Sequence, residues 1–439
     1  MARLRPPPLH RGRRPTRARL RLEARARDRD RGGGRAADAL AAIRGPGGEA
    51  AARDPRRELR HPVRRDARRD ARPRAGDAEP HPARPRAHAL SRRAGGRRGR
   101  PGPAGGDRRR MRPDRAPDID AIRAAAERLT GHARRTPLLE ADLLNEAAGR
   151  RVLVKAECLQ RTGSFKFRGA WSRLSAMIEP ERRRGVIAYS SGNHAQGVAL
   201  AARLHGVPAV IVMPKDAPAS KIANTRAYGA EVVLYDRAGG EDREAIGADL
   251  AERRGLTLVR PYDDPWVIAG QGTCGLEIAA QAATAGVERA DVLVCCGGGG
   301  LTAGVALALE AEAPGLRARP VEPEGWDDVR RSLEAGERLA NPPGAAPSIC
   351  DAIVTPSPGA LTFPAMAARC GPGLAVSDDE ALAAMAVAFS RLKIVLEPGG
   401  AAALAGALFR RDAVEGDAVI VVASGGNVDP ETFARALAA

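Results

Sequence analysis

Residues 185–235 read GVIAYSSGNHAQGVALAARLHGVPAVIVMPKDAPASKIANTRAYGAEVVLY. Three short apolar runs stand out: GVIAY (Gly185–Tyr189), AVIVM (Ala209–Met213) and EVVLY (Glu231–Tyr235). Each is rich in β-branched residues and too short for a helix, so each reads as a strand. Between them lie Gly192–Leu204, rich in alanine, and Ser220–Tyr228, which stops at Gly229. Both read as helices, and a glycine just past the last turn is a common terminator. Strands joined through helices pair in parallel, which makes this an α/β protein.

The alternation continues on either side. Upstream, Ile119–Leu129 reads helical and Arg151–Ala156 (RVLVKA) as a strand. Downstream come a helix at Glu241–Arg254, a short strand at Thr257–Val259, a helix at Leu276–Ala285 and a strand at Asp291–Cys296. Asp378–Leu392 and Ala401–Phe409 read as helices and Ala418–Ala423 (AVIVVA) as a last strand. The compact run at 182–263 is expected to be a small domain inserted into a larger one built from 111–181 and 264–439. A cleft is expected between them.

Residues 1–110 have a different composition. They hold 34 arginines, no lysine and 12 acidic residues, a net charge of +22, with no Phe, Tyr, Trp or Cys. The remaining 329 residues carry 37 basic and 41 acidic side chains, so the whole-chain +18 belongs to the first quarter alone. Such a segment cannot bury enough apolar surface to offset the entropy of ordering, and disorder is expected. As a nucleic-acid arm it has phosphate-binding charge but no aromatic rings for stacking. As a targeting segment it lacks an apolar core. Arg, Ala, Gly and Pro without Lys is what a GC-rich strand yields when translated upstream of a start codon. The expectation is therefore a mis-called start, with Met111 as the true one. No run reaches the ~18 apolar residues of a membrane span. The six cysteines show no metal-ligand spacing, which fits a reducing, cytoplasmic compartment.

Four motifs carry chemistry. In Thr162–Ala170 (TGSFKFRGA) a single lysine, Lys166, sits between two phenylalanines. Desolvation there lowers an amine's pKa and frees the nucleophile that a Schiff base needs, although a lysine snorkelling from a helix start fits the same pattern. Ser190–Gly197 (SSGNHAQG) follows a strand and opens a helix, where free N–H groups, hydroxyls and an amide suit a carboxylate. Gly297–Leu301 (GGGGL) lies between a strand and a helix. It has neither P-loop nor dinucleotide spacing, but it can close backbone amides around a phosphate. Ser424–Asn427 (SGGN) ends the last strand and offers a hydroxyl to a heteroaromatic nitrogen. Together these are the needs of pyridoxal phosphate carrying an amino acid.

In family order, TGSFKFRGA, SSGNHAQG, IAGQGT (Ile268–Thr273), GGGGL, VEPEG (Val321–Gly325), EPGGA (Glu397–Ala401) and SGGNVDP (Ser424–Pro430) resemble the serine/threonine dehydratase (ammonia-lyase) and serine racemase family, the fold type II pyridoxal-phosphate enzymes. The resemblance runs from about Ile119 to Pro430. It implies a two-domain α/β fold with the cofactor in the interdomain cleft. Lys166 would hold the cofactor covalently and remove the α-proton, and Phe165 would pack beside it. Asn193 would bond its 3-oxygen, Gly297, Gly298, Gly299, Gly300 and Leu301 its phosphate, and Ser424 its ring nitrogen. Ser190, Ser191, Gly192 and His194 would surround the substrate carboxylate. The reaction implied is β-elimination from L-threonine or L-serine to a 2-oxo acid and ammonia. No regulatory domain follows Pro430, so feedback inhibition by isoleucine is not expected. A homodimer is typical of the family.

Some details bear on subtype. Ser191 stands where the racemases carry a second acid/base, so serine racemase is an alternative. Arg243 stands where those enzymes have an arginine near the substrate's distal end. It could read a second carboxylate, as in threo-3-hydroxyaspartate, or be a solvated helix charge. Glu322, Trp326 (by its carbonyl) and Asp328 align with a divalent-cation site that would take Mg2+ or Ca2+; an acidic surface loop is the other reading. Arg317-Ala318-Arg319-Pro320 departs from the family's regular strand, and an irregular, weakened segment is expected there. The reading from a different class is nucleic-acid binding through the basic arm, which the scattered acids disfavour.

Overall fold

The structure, a computed structural model, describes residues 111–438. The expectations for residues 1–110 lie outside the described residues. Among the described residues, ten strands form two sheets. The first contains β1 (Leu138–Leu139), β2 (Arg151–Lys155), β7 (Ala290–Cys295), β8 (Leu316–Pro323), β9 (Leu374–Val376) and β10 (Ala418–Val422) in the order β1-β2-β10-β7-β8-β9. Only β1 runs antiparallel to its neighbour. The second contains β3 (Val186–Tyr189), β4 (Ala209–Pro214), β5 (Glu231–Tyr235) and β6 (Thr257–Leu258) in the order β5-β4-β3-β6, all parallel. The α/β class with mainly parallel sheets is thus what the alternation indicated.

The central strands are mostly buried because helices cover both faces of each sheet. On one face of the larger sheet Val152, Val154, Val419 and Val421 pack with the alanine-rich helices Asp378–Val387 and Pro398–Phe409. On the other, Leu153, Val292, Val294 and Ile420 meet the helices Pro265–Thr284 and Gly300–Glu312. The smaller sheet carries the helices Lys166–Ser175 and Asn193–His205 on one side and Arg243–Arg254 on the other.

Two expectations fail for identifiable reasons. The helix expected to begin at Leu276 begins at Pro265, capped by Asp264, whose carboxylate accepts from the N–H groups of Trp266 and Val267. The glycines of its first half are contact points. A Cβ on Gly272 would lie 2.9 Å from the Gly304 carbonyl, and one on Gly304 would lie 2.6 Å from the Gly272 nitrogen. Helices can approach this closely only where neither has a side chain. The 317–320 segment is regular strand in parallel register with β7, Arg319 opposite Leu293 and Pro320 opposite Val294. Arg319 is buried, but Nη1 donates to Asp291 Oδ2 at 2.6 Å and Nε to the Pro372 carbonyl at 2.8 Å. Pro320 shares the parity of Ala318, whose carbonyl accepts from Gly371 N on the β9 side. Pairing with β9 begins only at Val321, so the missing donor is not needed.

A buried charge network underpins the Lys166–Ser175 helix. Arg168 donates to both oxygens of Glu157 at 2.8 Å and to both oxygens of Glu277 at 2.7 and 2.9 Å. Lys155, fully buried on β2, donates to Glu277 at 2.6 Å, to Gln281 at 2.8 Å and to the Thr136 carbonyl at 2.7 Å. Burial pushes Glu157 upward, but Arg168, Lys155 and the Thr136 hydroxyl outweigh it and hold the carboxyl below its ordinary range. Arg168→Ala strands Glu157 in the interior and should lower the unfolding free energy by about 3–5 kcal/mol. Arg183→Ala, which removes an exposed i,i+4 pair with Glu179, should change it by less than ~0.5 kcal/mol. Urea unfolding of both variants checks the contrast.

Candidate active site

Lys166 is placed by chain segments far apart in sequence. Ser164 forms an antiparallel bridge with Gly425, Phe165 N donates to the Ser424 carbonyl at 3.1 Å, and Gly426 N donates to the Gly163 carbonyl at 2.9 Å. The exit of β10 therefore pins the turn before the lysine. Thr162 within that turn holds a left-handed φ of 60°, a conformation that costs a non-glycine residue energy. The helix starts at Lys166, whose Nζ donates to the Pro261 carbonyl at 2.9 Å and lies 5.0 Å from the centre of the Phe165 ring. Burial drives its ammonium down to about 8, while the nearby Glu397 carboxylate pulls the other way. The snorkelling alternative does not hold, because the amine points inward.

Lys166 lines a cavity of about 640 Å³ together with Ser190, Ser191, Gly192, Asn193 and the glycine loop. Ser190 Oγ accepts from Gly192 N at 3.2 Å, which shapes the turn before the helix Asn193–His205. The first N–H groups of that helix have no partner in the preceding turn, so they are available to an anion. The His194 side chain is committed elsewhere. Its Nε2 donates to the Val259 carbonyl at 2.8 Å, and burial, with Lys166 nearby, drives the imidazole down to about 3. It is neutral at physiological pH, so only its backbone N–H is left for a carboxylate.

The glycine loop joins β7 to the helix Gly300–Glu312, with Gly299 at φ 89°. A Cβ on Gly298 would collide with the Tyr262 ring, and one on Gly297 would lie 2.9 Å from the Ile353 carbonyl. Tyr262 and Ile353, which also line the cavity, therefore pack against the loop so closely that only glycine fits there. Leu301 is buried behind it. These features, an inward amine of depressed pKa and a cradle that a Cβ would fill, fit an aldehyde that carries a phosphate.

The comparisons with known proteins agree. A family described as pyridoxal-phosphate dependent enzyme matches residues 129–425. The chain is 46% identical over 318 residues to the L-threo-3-hydroxyaspartate ammonia-lyase of a Pseudomonas sp, covering 72% of this chain and 97% of that protein. It is 39% identical over 324 residues to the serine racemase of Schizosaccharomyces pombe, covering 73% and 97%. The crystal structure of a T.th. threonine deaminase is similar with a TM-score of 0.67 and 46% identity, covering 71% of this chain and 99% of that one.

The chain belongs to the fold type II pyridoxal-phosphate-dependent enzymes.

In this pyridoxal-phosphate enzyme Ser424 is buried at the end of β10 with its hydroxyl against the Cys295 thiol, and it is Cys295 that lines the cavity. Arg243 stands at the start of the helix Arg243–Arg254, lines the cavity and is exposed, with only a 3.9 Å approach to Glu244. Glu322 and Asp328 are buried away from the cavity lining. Glu322 accepts from Val329 N at 3.0 Å and Arg330 N at 2.7 Å, so its oxygens already serve a helix start. Asp328 Oδ1 accepts from Asn341 Nδ2 at 2.6 Å, while Oδ2 is buried without a partner. The Trp326 indole donates to the Ala346 carbonyl at 2.7 Å. These two carboxylates are not an exposed acidic loop. Among the described residues no group of three or more His, Cys, Asp or Glu side chains converges as a metal site.

Sequence reasoning passed over Glu397. It is buried, lines the cavity and accepts from Asn193 Nδ2 at 2.5 Å. The signal was the glutamate of EPGGA, an acid directly before an apolar helix, which reads as an ordinary helix start.

The depressed pKa of Lys166 has a direct consequence. Only the neutral amine reacts with an acylating reagent, so modification of Lys166 in the apoprotein should rise with pH and level off above about 8. Residue-resolved mass spectrometry after brief acylation measures this. A rate still climbing at pH ~10 would contradict the desolvation argument.

Proposed function

We propose that the enzyme is a threonine/serine dehydratase that deaminates L-threonine or L-serine to a 2-oxo acid and ammonia by β-elimination. The chain is a lyase of the ammonia-lyase type. The observation that carries the reading is the inward amine of Lys166 in a cavity that also holds a helix N-terminus and a glycine cradle.

Bound pyridoxal phosphate would supply the electron sink that acidifies the substrate's α-hydrogen. The residues do the rest. Lys166 would hold the cofactor's aldehyde through Nζ, and the same amine is placed to take the substrate's α-proton. The amides of Gly297, Gly298, Gly299 and Gly300, with Leu301, hold the phosphate. Phe165 would pack beside the ring, Asn193 would donate to its 3-oxygen, and Ser424, whose hydroxyl lies against the Cys295 thiol on the cavity wall, would partner its nitrogen. A hydroxyl cannot protonate that nitrogen as a carboxylic acid would, so Ser424 as partner would suit loss of a β-hydroxyl. Ser190 and Ser191, with the N–H groups of Gly192, Asn193 and His194, orient the substrate carboxylate. The α-proton and the β-hydroxyl leave, the latter as water, and the released enamine hydrolyses to the oxo acid and ammonia.

The reading includes a small domain at 182–263 inserted between 111–181 and 264–439, supported by the separation of the strands into two sheets. It also includes a homodimer in a reducing cytoplasm, the latter supported by six free cysteines. No helix among the described residues is long and apolar enough to cross a membrane. We retain a Mg2+ or Ca2+ ion at Glu322, the Trp326 carbonyl and Asp328. Its support is the unpartnered Asp328 Oδ2, together with a Glu322 carboxyl raised by burial and by Asp328. If the ion binds, added Ca2+ should raise the unfolding midpoint of the native enzyme, and Asp328→Asn should abolish the increment.

The second reading is threo-3-hydroxyaspartate as substrate, favoured by Arg243 on the cavity wall; serine racemisation through Ser191 is its companion. The test is a panel of L-threonine, L-serine, D-serine and L-threo-3-hydroxyaspartate, scored for oxo acid and chirality. Lys166→Ala should cost more than about 10³-fold on every substrate. If Arg243 reads a second carboxylate, Arg243→Ala should cost roughly tenfold or more on hydroxyaspartate and spare threonine. Equal losses on both would reject that role.

A further inference from the structure

Glu397 occupies the N-cap position of the helix Pro398–Phe409, yet its side chain makes no capping hydrogen bond. It turns away from its own helix into the cleft, 4% exposed, in space that exists because residue 425 is glycine; a Cβ there would collide with Glu397 Oε1. Its side-chain partner is Asn193, and the rest of that network fixes which way the amide faces. Asn427 Nδ2 donates to the Thr162 carbonyl at 2.7 Å, which can only accept. The same amino group donates to Asn193 Oδ1 at 2.6 Å, so the other end of Asn193 carries both hydrogens. One goes to Glu397 Oε1 at 2.5 Å. The other is left on a side chain that lines the cavity.

We propose that Glu397 is a positioning residue for the cofactor: by accepting one hydrogen of the Asn193 amide it aims the other at the cofactor's 3-oxygen, and its charge is sensed by the bound ring. This rests on the reading that the cavity takes pyridoxal phosphate. Two properties of Glu397 separate cleanly. The hydrogen bond from Asn193 needs only an acceptor, which a neutral carboxyl or an amide also provides. The charge needs ionisation. Burial raises the carboxyl to about 7, the Asn193 hydrogen bond opposes this, Asp351 adds to it, and Lys221 and Lys166 oppose it. The groups facing Glu397 are thus Lys166 at its helix start, Lys221 from the helix Ala219–Ala227, Asp351 from the turn Asp351–Ile353, and the Cys158 and Cys295 thiols. With its folded pKa raised above the ordinary carboxylate value, Glu397 is neutral below about 7 and an anion above it.

The experiment compares wild-type enzyme, Glu397→Gln and Glu397→Ala, each reconstituted with pyridoxal phosphate. It reads the dissociation constant for the cofactor and the absorbance band above roughly 400 nm across about pH 6–8. The wild-type band should shift with a midpoint near 7. Glu397→Gln, which keeps the acceptor, should bind the cofactor within about threefold of wild type and lose that midpoint. Glu397→Ala should bind roughly tenfold more weakly, with far-UV circular dichroism and unfolding midpoint confirming that it is folded. A glutamine variant whose band titrates as wild type does, or a folded alanine variant with wild-type affinity, overturns the proposal. If the alanine variant does not fold, the glutamine titration alone decides. A wild-type protein that forms no band with added pyridoxal phosphate overturns the functional reading, and this inference with it.

Discussion

The site depends on the pinning of one turn by one strand end. The segment Gly163–Phe165 is tied to Ser424–Gly426 by the two backbone hydrogen bonds of an antiparallel bridge. Without that tie, Lys166 would begin a helix attached to the rest of the molecule only by side chains. With it, the amine, the hydroxyl of Ser424 and the amide of Asn427 sit on a single hydrogen-bonded unit, although the chain separates them by about 260 residues. The left-handed φ at Thr162 fits this account, since a strained residue persists only where its surroundings over-determine it. The Thr162 carbonyl is one of those determinants, because it accepts from Asn427.

Behind the turn, the buried Arg168 and Lys155 network fixes the helix that Lys166 opens. A hydrophobic replacement could be as stable. What the charged version adds is direction: a guanidinium bound at both edges fixes the rotation of the helix about its axis, and so the bearing of a lysine two residues earlier. The Gly272 and Gly304 contact then locks the next two helices together, one of which carries the glycine cradle at its start. Rigidity is thus supplied in layers, from helix contact to ion network to pinned turn.

Much of this was legible in the sequence. The strands at 186–189, 209–214 and 231–235 and the alternation that makes the sheets parallel follow from short β-branched runs separated by helices. The lysine, the SSGNH turn and the four glycines each had a bland local reading, and it was their joint fit to one ligand that singled them out; the structure brings all three to one cavity. What escaped depends on contacts between distant segments. The first half of the helix Pro265–Thr284 escaped because its glycines at 270, 272 and 275 are explained only by the segments that press against them, which lie elsewhere in the chain. Arg317 to Pro320 looked unfit for a strand, because Asp291 and the Gly371 turn that accommodate them lie elsewhere in the chain. The resemblance put His194 beside the substrate carboxylate, and nothing nearby in sequence discloses that its ring donates a hydrogen bond to the Val259 carbonyl.

Glu397 belongs to the same class, and its neighbourhood shows what burial does to an acid and an amine that share a cavity. Desolvation disfavours whichever form is charged, so it pushes an amine down and a carboxyl up. Lys166 falls to about 8 and Glu397 rises to about 7, from ordinary values far apart on either side of neutrality. Each charge opposes the other's shift, so neither group is driven to permanent neutrality. In the proposed reaction the amine would have to be uncharged to bond an aldehyde and would later hold a proton taken from carbon, and a pKa close to working pH would serve both roles. A hydrophobic pocket alone would give the first property at the expense of the second. The buried carboxyl beside it restores the balance, and this explains why an acid is tolerated at that depth.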